Sequence, residues 1–158
     1  MKKYTIIAIL VIIILAVYFA PRAVDVVQIS GISDYKFAWQ FAKRLYRANQ
    51  GDKNAQYMAG MAYDADMRIR RDYEKAEDYF KRAAFQGHES AQLELAYLYA
   101  TTDGPKRHPS SAFYWASVII SHSNDQEVKN QALSIREKIS GELAPEIKKQ
   151  VFAEAKSF

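Results

Sequence analysis

The stretch Asp72-Tyr73-Glu74-Lys75-Ala76-Glu77-Asp78-Tyr79-Phe80-Lys81-Arg82-Ala83-Ala84-Phe85-Gln86-Gly87 decides the fold. Ala76, Tyr79, Phe80, Ala83 and Ala84 fall at i, i+3, i+4, i+7 and i+8, one face of an α-helix. Gly87 then stops it, because glycine takes the left-handed conformation past a helix end without a side-chain clash. The same spacing recurs upstream in Ala55, Met58, Ala59, Ala62 and Tyr63. Segments beginning Ala55-Gln56 and Ala91-Gln92 lie 36 residues apart. A helix pair repeating at a period of about 20 to 50 residues is the pattern of a solenoid, in which each unit buries its apolar face only by stacking on a neighbour. The expectation is an all-α fold, a short α-solenoid of stacked antiparallel helix pairs.

Working outward, helices are predicted near residues 34–49, 54–65, 72–86, 88–101, 109–122, 125–140 and 144–157. Ala38, Phe41, Ala42, Leu45 and Tyr46 carry the stripe of the first, which Gln50-Gly51 ends. Pro109 and Pro145 sit where proline is tolerated, in a first turn whose N–H groups lack internal partners. Ala112, Trp115, Ala116, Ile119 and Ile120 repeat the stripe once more. Lys81-Arg82-Ala83-Ala84 become Ser117-Val118-Ile119-Ile120 in that later copy, so a face that loses two charges is predicted to be covered. The last two helices, with Val128, Ala132, Ile135, Ile139, then Leu143, Ile147, Val151 and Ala155, supply the cover as terminal caps.

The division expected is a membrane anchor over residues 1–23, a linker over 24–32 and the helical domain over 33–158. Lys2 and Lys3 precede Tyr4 to Ala20, seventeen residues without a charge. As a helix this run spans roughly 25 Å, slightly short of a hydrocarbon core of about 30 Å, a gap that flanking lysines can close. A cleaved signal peptide is the rival reading. It fits less well, because cutting after Ala20 or Ala23 puts Tyr18 or Pro21 where a small residue is needed. The lysines should stay cytoplasmic, making a single-pass protein of the inner membrane with its C-terminal domain in the periplasm.

The net charge of +4 does not point to nucleic acid. Lys2, Lys3 and Arg22 are three of 22 basic residues, leaving 19 against 18 acidic ones. The chain has no cysteine, which excludes disulfides and thiolate chemistry.

The residues resemble the Sel1-like repeats, relatives of the tetratricopeptide repeats. That pattern is Ala-x3-Leu-Gly-x2-Tyr, a loop, then Asp-x2-Lys-Ala-x2-Trp/Tyr-x2-Lys/Arg-Ala-Ala-x-x-Gly. Ala55, Gly60 and Tyr63 match the first half; Asp72, Lys75, Ala76, Tyr79, Arg82, Ala83, Ala84 and Gly87 match the second. The next copy supplies Ala91, Leu95, Tyr99, Ala112 and Trp115, with Ala96 in place of glycine. The stretch Asp64 to Arg71 departs from the family in lacking its loop glycines. The resemblance implies an adaptor surface that binds another protein and needs no cofactor. The function expected is a scaffold of an envelope machine of secretion or pilus type. The alternative is a periplasmic immunity protein that neutralises a secreted toxic effector.

Two candidate surfaces follow. Tyr57, Met61, Leu93 and Tyr97 form a second set 36 residues apart, read either as an aromatic groove for a partner or as a widened core stripe. Arg68, Arg70, Arg71 and, in the equivalent loop, Lys106 and Arg107 form a basic edge, read as a contact for anionic lipid or an acidic partner, or as solvated loops. Catalysis is not expected. His88, His108 and His122 lack zinc-helix spacing, Asp64 and Asp66 are read as loop carboxylates, and neither a phosphate loop nor a nucleophile elbow occurs.

Overall fold

The computed structural model describes residues 35–65, 69–101 and 106–158; the anchor, the linker and Arg68 lie outside them. Among the described residues the fold is all-α, seven helices and no strand. They are α1 (Tyr35–Asn49), α2 (Lys53–Ala65), α3 (Tyr73–Ala84), α4 (Glu89–Ala100), α5 (Pro109–His122), α6 (Gln126–Ser140) and α7 (Pro145–Lys156). None is long and apolar enough to cross a membrane. Asp64, expected in a loop, closes the last turn of α2.

Helices α2 to α6 start where a side chain satisfies leading N–H groups, whereas α7 starts after Ala144 with no side-chain cap. Asp72 accepts from the amides of Glu74 and Lys75, and Asp125 from those of Glu127 and Val128. Histidine takes the same post twice, with Nδ1 of His88 accepting from Ala91 N and Nδ1 of His108 from Ser111 N. The glycine stops are real: Gly51 and Gly87 have φ of 96° and 73°, the only positive values among the described residues.

Three hydrogen bonds recur at an offset of 36 residues. Asp52 N donates to Arg47 O at 3.2 Å, as His88 N does to Ala83 O at 3.1 Å. Asp72 N donates to Tyr63 O and His108 N to Tyr99 O, both at 2.9 Å. The buried amides of Gln56 and Gln92 donate to Ala48 O and Ala84 O, at 3.0 and 3.2 Å. These glutamines reach back to the closing carbonyls of the preceding helix, adding a side-chain donor to the turn amides of Gly51 and Gly87 that already bond them.

Packing follows chain order. α1 lies on α2, α2 on α3, α3 on α4 and α4 on α5, while α5 is also covered by α6 and α7. Small residues permit the close approach. Ala59, Ala76, Ala83, Ala84, Ala91, Ala96, Ala112 and Ala116 are each fully buried, with Phe41, Phe80, Leu95 and Ile119 filling the space between helices. Burying each of those larger side chains contributes about 1.5–3 kcal/mol. Gly60 is needed rather than convenient: a Cβ there would lie 2.5 Å from the Phe80 ring. The face of α5 expected to be covered is covered, with Ser117, Val118 and Ile119 all at 0% exposure.

Candidate functional site

The basic edge is the clearest place where tertiary contacts redirect a sequence motif. Lys106 Nζ lies 3.0 Å from Glu74 Oε1 and 3.1 Å from Glu77 Oε2. Arg107 pairs with Glu142 at the end of α6, and Arg71 donates to the main-chain carbonyl of Asp64 and to Tyr73 Oη. Of the described members only Arg70 is exposed without such an engagement to another described residue. These cations hold loops to helices of their own molecule.

Glu77 is the centre of that network. It accepts from Lys81 one turn along α3, from Lys106 before α5 and from Tyr99 Oη of α4, the last at 2.7 Å. Partial burial opposes its charge, but the hydrogen bonds from Lys81, Tyr99 and Lys106 outweigh it and hold the carboxyl at about 2. Burial and the same carboxylate push the Tyr99 phenol up.

The four aromatic and apolar candidates do not converge on one hollow. Tyr57, Met61 and Leu93 are partly buried against the core, so for these three the core stripe accounts for much of the surface. Tyr57 also stacks on the His88 ring, with centroids 4.6 Å apart and planes inclined by 24°. That contact and the amide donated to Nδ1 suit a neutral imidazole; burial and nearby Lys53 lower its pKa accordingly. With Arg44, Met58 and Ala62, Tyr57 and Met61 line an open hollow of about 300 Å³ beside α1.

Tyr97 differs. It is 45% exposed and lines a second hollow of about 180 Å³ with Asp64, Tyr73, Phe80, Glu94, Leu98 and Thr101. Burial raises the Glu94 pKa and the Asp64 carboxylate adds to the rise. Arg71 Nε already lies 3.9 Å from Asp64 Oδ1, so Glu94 is the carboxylate of the hollow that an arriving cation would relieve, with the Tyr97 ring beside it offering apolar surface. The arrangement suits a basic side chain. Sequence spacing had marked Tyr97 but not its acidic neighbours, because Glu94 sits on a mostly buried helix and Asp64 reaches it from 30 residues away.

Of the apolar, aromatic and glycine residues that define the repeat, all but Gly87, which is exposed at its helix stop, are buried: Ala55, Tyr63, Tyr79, Leu95, Tyr99 and Trp115 are each at most 5% exposed. Trp115 meets Phe85 and Phe158 edge-on, at 5.3 and 5.7 Å between centroids. Among the described residues no three His, Cys, Asp or Glu side chains converge as a metal-holding group. No family model, curated protein or solved structure matches the chain.

Proposed function

We propose that the helix pairs form a short Sel1-like α-solenoid that binds another protein and performs no catalysis. Residues 4–20 hold it on the extracytoplasmic side of a membrane as an adaptor or accessory scaffold of an envelope machine. The observation that carries this reading is the 36-residue recurrence of the bonds from Gln56 and Gln92, from Asp72 N and His108 N, and from Asp52 N and His88 N. Repeated clamps between stacked units produce the rigid, extended surfaces on which such proteins receive partners. The part of that surface best suited to recognition is the hollow of Tyr97, Glu94 and Asp64. A partner segment placing Lys or Arg beside an apolar residue fits it, the cation on Glu94 and the apolar group on the tyrosine.

The test is affinity purification of the detergent-solubilised chain from its own cells, with a photo-reactive residue at position 97. Cross-linking to several membrane-machine subunits, lost on Glu94→Lys, is the expected result. One secreted protein recovered in equal amount would move the reading to an immunity protein. Recovery of nothing specific would end both.

A further inference from the structure

The first described helix carries a surface that neither the repeat nor the Tyr97 hollow uses. α1 contains Lys36, Lys43, Arg44 and Arg47 and no acidic residue. Among the described helices it alone combines lysine and arginine with a complete lack of carboxylates. Phe37, Phe41, Leu45 and Ala48 make its buried stripe. On the opposite face Trp39 and Tyr46 are 67% and 57% exposed, with exposed Lys43 between them at i+4 from the tryptophan. Two large aromatics mostly in water, with no ring contact to another described residue, is a cost, and the basic residues around them say what could relieve it.

We propose that this face of α1 lies on the anionic surface of the bilayer in which the chain is anchored. The inference rests on the reading of residues 4–20 as an anchor, which starts α1 only 14 residues beyond the apolar run. Tryptophan and tyrosine favour the headgroup layer, where an apolar ring body and a polar tip are both accommodated. Lysine and arginine beside them are drawn to anionic headgroups. Among the described residues Asp52 pairs with Arg47 and Asp78 with Arg82, leaving Lys43 without a carboxylate; Asp34, next before α1 in the chain, lies outside them. The cations of the loop before α5 do not compete for the membrane, because Lys106 and Arg107 are bound to Glu74, Glu77 and Glu142. α1 thus becomes a foot that sets the orientation of the domain above the membrane and keeps the Tyr97 hollow in a fixed relation to it.

The chain has two tryptophans, and Trp115 is only 3% exposed, so Trp39 reports on this face almost alone. The experiment reconstitutes the full chain in phosphatidylcholine vesicles with and without phosphatidylglycerol, using brominated acyl chains as the quencher and Trp39→Phe as the blank. Quenching of Trp39 that strengthens with phosphatidylglycerol is expected. Lys43→Glu should reduce the surface-bound population by about fivefold or more. Trp39 emission insensitive to brominated lipid, and as open to acrylamide in vesicles as in detergent, overturns the proposal. Shielding from acrylamide that is equal in detergent would mean that another part of the chain covers the face, and shielding found only in native membranes would assign it to a protein. Both outcomes overturn it. Resistance of the chain to alkaline carbonate extraction reads the anchor separately, so loss of the foot and loss of the anchor are told apart.

Discussion

Lys81 and Arg82 on α3 are half-buried and pair with Glu77 and Asp78, whereas the positions 36 residues later on α5 hold Ser117 and Val118, sealed from water. Gly60 of α2 faces Phe80, while the equivalent positions hold Ala96 and Ala116, both fully buried. Yet the backbone and glutamine bonds of α2–α3 and α4–α5 are the same. The comparison separates two kinds of determinant. Hydrogen bonds at helix ends fix how one pair follows the next, and side-chain volume and charge adapt to what lies outside. α3 keeps a face toward water, and α5 is enclosed by α4, α6 and α7.

The sharpest break of that symmetry should come from the aromatic positions Tyr79 and Trp115. Trp115→Ala is expected to cost about 3–5 kcal/mol, read as a shift in the urea midpoint, because the enclosed ring leaves a cavity that three surrounding helices cannot close. A loss no greater than that of an exposed substitution such as Gln126→Ala would mean that α5 is not a shared core. Gly60→Ala tests the volume exchange. Helix propensity favours alanine by about 1 kcal/mol, but the methyl must enter the buried Phe80 ring, and overpacking costs about 1–3 kcal/mol. Net destabilisation is therefore expected, largely relieved by Phe80→Leu in the same chain. Ala96→Gly should lose stability with no such rescue.

A smaller effect tests the shared clamp. Gln92→Leu is expected to cost about 1–2 kcal/mol by removing the buried donor to Ala84 O. Gln56→Leu should cost less, because Arg82 Nη2 still donates to Ala48 O at 3.0 Å. The smallest effect concerns Glu77, which has no counterpart in the later pair, where position 113 is a buried phenylalanine. Its carboxyl is depressed from 4.5 to about 2, so its stabilisation is complete above 4.5 and is lost as pH falls through about 2. Glu77→Gln should lower the urea midpoint at pH 7 and approach the wild type in acid. A difference that persists unchanged at the lowest pH would assign the effect to packing.

The helices and their limits were legible because the signals are local. Pro109 and Pro145 open α5 and α7, Gly51 and Gly87 stand at positive φ, and every predicted boundary falls within two residues of the observed one. The cover over Ser117 to Ile119 was also legible, from the loss of charge between copies. The candidate surfaces were read less completely. Tyr57 and Tyr97 belong to one recurring set, at positions matched by Leu93 and Met61, yet one packs on His88 and Phe80 while the other is 45% exposed. Lys106 and Arg107 looked like a free basic edge because their carboxylate partners lie 29 to 35 residues away in the chain. Their neutralisation is set by how α3 and α6 are placed.

By itself, then, the sequence determined an all-α chain, its helix ends and the 36-residue period. A helix forms and stops through contacts within a few residues, and apolar spacing records which face is buried. Only the tertiary structure decided that Gln56 and Gln92 are clamps, that Glu77 gathers Lys81, Tyr99 and Lys106, and that Trp39 and Tyr46 face outward on a helix without acids. Those outcomes depend on which distant groups arrive at the same place, and residue spacing along the chain carries no measure of that distance.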